Sequence, residues 1–284
     1  MGAKEVIQGG VTVGTVLRLG LLPALELRIL LEQATGISRM MQIAHPEKRL
    51  SIEQAQALAS FVQRRIQGEP IAYITGFKEF FGLPFKVTPD VLIPRPETEL
   101  LVELALNVLP QGGGLLDMGT GSGAIAVAIA HERPDAQVVA TDVSDGALAV
   151  ARENAALNLE PNQAIRFLPG SWFDALEAGM RFDVIVSNPP YIEAGDVHLS
   201  QGDLRFEPQG ALTDFADGLS ALGMLVDGAP KYLNENGWLL MEHDYNQSEA
   251  VVALLTKRGF SAVQTWPDLA GIGRVTGGQW QLSQ

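Results

Sequence analysis

The run LDMGTGSGAI, residues 116–125, decides how the chain is read. An apolar stretch leads into it, glycines at 119, 121 and 123 break it, and AIAVAIAHE leaves it with helical character. Glycine has no Cβ, so the backbone can turn sharply here and come close to a ligand. The helix beginning near Ala124 points its amino end at the same place, which suits a nucleotide-like tenant. A GxG turn can also serve only to pack a helix on a strand, so its surroundings must decide.

Downstream, strand-like and helix-like segments alternate: QVVATD, a helix around DGALAVARENAALN, IRFL, FDVIVSN, a helix around LSALGMLVDGAPKYL, and GWLLMEH. That rhythm predicts a parallel sheet covered on both faces, and runs such as VIV fit strands buried on both sides. A helix near EAVVALLTKRG follows, then SAVQTW and RVTGGQW, close enough together to pair antiparallel at one edge. The chain shows no internal repeat and no low-complexity segment.

Upstream the pattern differs. Residues 1–75 read as a small helical domain: PALELRILLEQATG closes on Gly36, and Ser51 with Gln54 forms a capping-box pattern ahead of Ala55, Leu58, Ala59, Val62 and Ile66, with Gly68 ending the run. No catalytic constellation stands in it, which leaves recognition of a substrate partner or simple packing as its work. Residues 76–92, with aromatic and β-branched residues around Gly82, predict a β-hairpin linker, and residues 93–284 the domain that carries the glycine turn. Pro96 suits the first turn of a helix whose apolar face is ELLVELALNVL, with Glu97 and Glu99 near its positive end.

Composition sets the outer limits. The 284 residues, 46% hydrophobic and 19% charged, are those of a globular protein with room for one large or two ordinary domains. MGAKEVIQGG carries no apolar run behind a basic start, and no segment nears eighteen uninterrupted apolar residues, so a cytoplasmic location without a membrane partner is expected. With no cysteine, disulfides, thiolate metal sites and a cysteine nucleophile are excluded. A net charge of −13 repels phosphate backbones and argues against general nucleic-acid binding.

Asp142, at the end of QVVATD, sits where an acid can accept hydrogen bonds from both hydroxyls of a ribose. That pairing suits a nicotinamide dinucleotide or S-adenosylmethionine, and spacing alone leaves both open. No GxxxxGK[ST] is present, which argues against a P-loop nucleotidase. VSNPPYI, residues 186–192, tips the balance. Two prolines stiffen the turn after a buried strand, and its residues emerge at the same sheet edge as the glycine turn. The side-chain oxygen of Asn188 and the carbonyl of Pro189 can accept both N–H bonds of a sluggish nitrogen, while Tyr191 offers a flat face for stacking. A dehydrogenase would leave this turn without work.

IPRPETE at 93–99, LDMGTGSGAI at 116–125, VSNPPYI at 186–192 and RFEPQGAL at 205–212, together with GEPIAYITG near the end of the helical region, resemble those of the PrmC/HemK family, bacterial release-factor glutamine methyltransferases. NPPY alone is shared with nucleic-acid amino-methyltransferases; IPRPETE and RFEP narrow the match. The resemblance implies a Rossmann-like methyltransferase domain of seven strands behind the helical domain. It implies S-adenosylmethionine as donor, and methyl transfer from a sulfonium needs no metal. The substrate implied is the glutamine of the Gly-Gly-Gln motif in class I peptide chain release factors. Carried over, Gly119, Thr120, Gly121, Ser122 and Gly123 embrace the methionine part, Asp142 the ribose, and Trp172 flanks the adenine. Asn188 also borders the cofactor and, with Pro189, Pro190 and Tyr191, holds the glutamine amide; Asn188, Pro189 and Tyr191 are the expected catalytic residues. Ser171 stands where the family commonly has Asp. Methylation of a glutamine in a ribosomal protein is the nearest alternative, and nucleic-acid amine methylation a more distant one.

Other residues carry less. Glu242, His243 and Asp244 are neighbours in an extended stretch whose side chains point to opposite faces, which favours structure over a shared acid–base site. Arg95 and Glu97 suggest support for the methionine end or the target loop, against a local ion pair. Glu207 suggests a brace for the active-site loop and is left unassigned. His45, His131 and His198 have no partner spacing. Gly277-Gly278-Gln279 spells the presumed target tripeptide by coincidence.

Overall fold

The chain divides between Gly76 and Phe77 into two units, and the computed structural model describes residues 3–281. The first unit is helical. Leu27, Leu30 and Leu31 of the helix Ala24–Thr35 bury themselves with Leu58 and Val62 of the helix Ile52–Ile66. Gly36 ends the former helix in the left-handed region, φ 70°, its N–H on the Glu32 carbonyl. Ser51 and Gln54 cap the latter reciprocally, an arrangement of the kind that contributes about 1 kcal/mol.

The second unit opens with a hairpin of β1 (Phe77–Phe80) and β2 (Leu83–Lys86). Phe81 and Gly82, at φ 53° and 76°, supply the two left-handed residues that a two-residue hairpin turn requires. The hairpin is tied into this unit. Phe80 and Phe85 lie in its core, and Asn154 accepts from the Lys86 N–H at 2.7 Å and donates to the Lys86 carbonyl at 2.9 Å.

Seven further strands form one sheet: β3 (Gly114–Met118), β4 (Gln137–Asp142), β5 (Ile165–Pro169), β6 (Phe182–Ser187), β7 (Leu233–Glu242), β8 (Ser261–Pro267) and β9 (Gly273–Gln279). Their order is β5-β4-β3-β6-β7-β9-β8, with parallel pairing from β5 through β7. The last two strands pair antiparallel as expected, but β9 lies inside, antiparallel to β7, and β8 forms the edge. Side chains alternate between two cores. Leu115, Val184, Val186 and Leu240 face the helices Glu99–Val108 and Ala124–Glu132, whereas Leu116, Ile185, Leu239 and Met241 face Ser220–Gly228 and Ser248–Arg258.

Chain order reverses between β3 and β6: β4 and β5 follow on one side of β3, β6 and β7 on the other. Such a switch point opens a crevice at the carboxyl ends of the strands. The glycine turn leaves β3, Asp142 ends β4, and the NPPY turn leaves β6. All three arrive at one crevice.

Candidate active site

Gly119, Gly121 and Gly123 have φ of 72°, 54° and 80°, which L side chains rarely adopt. Nothing lies within 4 Å of where a Cβ on Gly119 or Gly121 would stand, so the turn leaves a bare backbone cradle. Gly123 faces inward, where a Cβ would come 3.1 Å from that of Ala151, and it caps the helix Ala124–Glu132. The side chains between the glycines turn away from the cradle. Thr120 is buried and donates from Oγ1 to Asp117 at 2.6 Å, and the carbonyl of buried Ser122 accepts from Asn154 at 2.8 Å. Asn154 therefore ties the hairpin to the glycine turn. Burial pushes the Asp117 carboxyl up to about 7, against the Thr120 hydroxyl and the Ala126 N–H, with the nearby Asp142 charge adding to the rise.

Asp142 stands across the cradle. Its Oδ2 accepts from the Gly121 N–H at 2.9 Å and its Oδ1 from the Ser144 N–H at 2.9 Å, leaving each oxygen a further lone pair. The Gly170 N–H donates to the Asp142 carbonyl at 3.0 Å and brings the Gly-Ser-Trp turn alongside. Trp172 sits there at φ 47°, an unusual backbone for a bulky residue, partly buried against the core. Val143, 76% exposed, adds an apolar side chain directly after Asp142 that the sequence did not single out.

The NPPY turn is bonded to the cradle strand: the Ser187 hydroxyl donates to the Met118 carbonyl at 2.7 Å. Asn188 Nδ2 donates to the Thr98 hydroxyl at 3.1 Å, which fixes the amide and leaves Oδ1 available as an acceptor. The Tyr191 hydroxyl donates to Glu242 at 3.2 Å, and Gln247 clamps the Tyr191 carbonyl at 3.0 Å and that of Gly218 at 3.1 Å. Asn188, Pro190 and Tyr191 are half-buried and Pro189 is buried. Burial and the Glu242 charge push the Tyr191 hydroxyl upward, so it stays a neutral donor.

Residues 96–204 match the family described as the methyltransferase small domain, and residues 21–76 match the PrmC N-terminal domain. The chain is 51% identical to a release factor glutamine methyltransferase of Neisseria gonorrhoeae, covering 93% of this chain and 96% of that protein. It is also 51% identical to one of Burkholderia pseudomallei, covering 94% and 96%. The chain belongs to the release factor glutamine methyltransferase family. A solved methyltransferase from Pyrococcus furiosus shares the fold, with a TM-score of 0.54 and 23% identity over 77% of this chain and 97% of that one.

Two of the stretches that carry the family resemblance meet in space. Glu207 of RFEPQGAL is 4% exposed; its Oε1 pairs with Arg95 of IPRPETE and its Oε2 accepts from the Ile93 N–H at 3.0 Å. Glu207 thus braces the segment that delivers Thr98 to Asn188. Ser171, where the resemblance implied an Asp, is exposed on the Gly-Ser-Trp turn. Glu242 and His243 do point apart: His243 Nε2 meets the Thr276 hydroxyl at 2.7 Å, while Glu242 alone reaches the NPPY turn. His45, His131 and His198 lie elsewhere on the surface. Among the described residues no cluster of three or more His, Cys, Asp or Glu is placed to hold a metal ion, and no helix is long and apolar enough to cross a membrane.

Thr98, Asn154 and Gln247 were not singled out by sequence reasoning. Thr98 had a signal, since it lies inside IPRPETE. Asn154 and Gln247 had none.

Proposed function

We propose that the chain transfers a methyl group from S-adenosylmethionine to the side-chain amide nitrogen of the Gly-Gly-Gln glutamine in class I peptide chain release factors. One observation carries this reading: Asn188 is pinned through its nitrogen, with its oxygen available, on a turn bonded directly to the glycine cradle. The cradle fits the donor. Backbone without side chains at Gly119 and Gly121 admits the methionine part, Asp142 has lone pairs for ribose hydroxyls, and Val143 and Trp172 offer apolar surface to an adenine.

When bound, S-adenosylmethionine supplies an electrophilic methyl carbon on a sulfonium. The protein's task is to orient a poor nucleophile, because an amide lone pair is spread into its π system. Asn188 Oδ1 and the Pro189 carbonyl accept the two N–H bonds of the glutamine amide, holding the nitrogen in one orientation and favouring the positive charge it develops. Both are fixed beforehand. Asn188 is held by Thr98, and Pro189 sits between a buried strand and a second proline. Tyr191, its hydroxyl anchored on Glu242, lends its ring to the planar amide.

The helical unit at residues 1–75 supports recognition of the factor, and the net charge of −13 supports a protein rather than a nucleic-acid partner in the cytoplasm. The test is incubation with labelled S-adenosylmethionine and purified release factor, followed by peptide mass spectrometry. Label on the Gly-Gly-Gln glutamine is expected. Label confined to a ribosomal protein or to nucleic acid would reject the substrate.

A further inference from the structure

Tyr191 is gripped at both ends by one short stretch of chain. Glu242 ends β7, and Gln247 immediately precedes the helix Ser248–Arg258. Glu242 accepts from the Tyr191 hydroxyl at 3.2 Å, and Gln247 Nε2 donates to the Tyr191 carbonyl at 3.0 Å. The same nitrogen donates to the Gly218 carbonyl at 3.1 Å, while Gln247 Oε1 accepts from the Asp244 N–H at 2.9 Å. That last contact sets which way the amide faces, and both of its N–H bonds then go to carbonyls.

We propose that Gln247 is a positioning residue for methyl transfer, holding the Tyr191 ring against the target amide through the Tyr191 main chain, an inference that rests on the methyl-transfer reading above. Two of the four NPPY residues are prolines and carry no N–H, so carbonyls and side chains must do most of the work of fixing the turn. The Pro189 carbonyl is committed to the target. The Tyr191 carbonyl is left for the protein to hold, and a side-chain donor has to reach it.

The meeting point is shaped from the other side as well. Gly218 has φ 75°, and a Cβ there would stand 2.4 Å from the Tyr191 carbonyl oxygen and 2.9 Å from Gln247 Nε2. Only glycine lets the two backbones come so close. Asp214 fixes this neighbouring loop, its Oδ1 accepting from the N–H groups of Ala216 at 2.9 Å and Gly218 at 3.0 Å and its Oδ2 from that of Ser220 at 2.9 Å. The chain leaving the NPPY turn pairs with the same loop, through the Ile192 N–H on the Leu212 carbonyl at 3.0 Å and the Ala194 N–H on the Ala216 carbonyl at 2.9 Å.

A ring held at its hydroxyl and at its main chain has little room to swing. Without the Gln247 NH₂, the carbonyls of Tyr191 and Gly218 lose the donor that joins them, the turn relaxes away from the loop, and the ring pivots on its hydroxyl alone. The glycine cradle is held by other bonds, among them that from the Gly121 N–H to Asp142 at 2.9 Å. The loss therefore falls on turnover and leaves cofactor binding alone.

Gln247→Leu tests the inference, because it is close in size and carries no donor. With release factor and S-adenosylmethionine saturating, kcat is expected to fall about tenfold, short of the roughly 10²-fold that a 1 Å misplacement costs. Cofactor affinity by calorimetry should be unchanged. In a Tyr191→Ala background the same substitution should cost less than about twofold, because the ring that Gln247 positions is gone, whereas a merely structural amide would cost the same in both backgrounds. A Gln247→Leu enzyme with the parent's kcat, or with an equal loss in both backgrounds, overturns the inference. If Gln247→Leu fails to fold, Gln247→Glu, which keeps the size and the acceptor but has no NH₂, is measured in the same two backgrounds and judged by the same two results. A parent that binds cofactor but methylates no release factor rejects the substrate reading first and this inference with it.

Discussion

The two halves of the crevice are built by opposite means. On the side proposed for the donor the main chain does the work: left-handed Gly119 and Gly121 leave a bare cradle, a helix begins behind it at Gly123, and Asp142, only 21 residues from Gly121, closes it. On the side proposed for the acceptor, side chains do the work through partners far apart in sequence. Asn188 leans on Thr98, 90 residues away, and Tyr191 on Glu242 and Gln247, 51 and 56 residues away. A donor site can be made from local backbone conformation, whereas an amide is oriented only by groups that the whole fold must bring together.

This contrast can be broken by substitution on each side. Asn188→Ala should cost the most, lowering kcat about 10³-fold with cofactor affinity by calorimetry unchanged, because one oriented acceptor supplies a large share of transition-state stabilisation. Loss of cofactor binding in that variant would merge the two halves. Gly121→Val should do the reverse. A β-branched side chain at φ 54° both strains the turn and fills the cradle, so cofactor affinity should fall roughly 30-fold, with kcat at saturating cofactor much less affected.

Smaller effects sharpen the picture. Asp142→Asn keeps one acceptor and removes the charge, which should weaken cofactor binding roughly tenfold, the difference between charged and neutral hydrogen bonds. Calorimetry on the variant checks this, and no change would remove Asp142 from the site. Ser171→Asp, the residue the resemblance implied, places an acid on an exposed turn where solvent screens the gain, so affinity should rise by no more than about threefold. A much larger gain would make the Gly-Ser-Trp turn a principal anchor.

The same contrast explains what the sequence could tell. The cap at Ser51 and Gln54, the stop at Gly36 and the helix Asp145–Asn158 were legible because each depends on residues within a turn or two of one another. The parallel sheet was legible from alternation, and its crevice from the glycine turn and Asp142. The insertion of β9 beside β7 was not, since sequence proximity to β8 says nothing of the other neighbour. Gly277 and Gly278 show the physical reason for the tripeptide there: a Cβ would meet Leu240 at 2.5 Å and Phe260 at 2.9 Å. The two glycines let β9 lie close against its neighbours, which accounts for them without any role as a target motif. Period-two reasoning correctly separated Glu242 from His243, yet it could not say which neighbour Glu242 would face.

The most direct measurement is a crystal structure of the protein with S-adenosylhomocysteine and a release factor, or a peptide carrying its Gly-Gly-Gln loop. The glutamine nitrogen is expected within hydrogen-bonding reach of both Asn188 Oδ1 and the Pro189 carbonyl, its free side turned toward the sulfur. A glutamine held elsewhere, with residues 188–191 turned away from the cofactor, would contradict it.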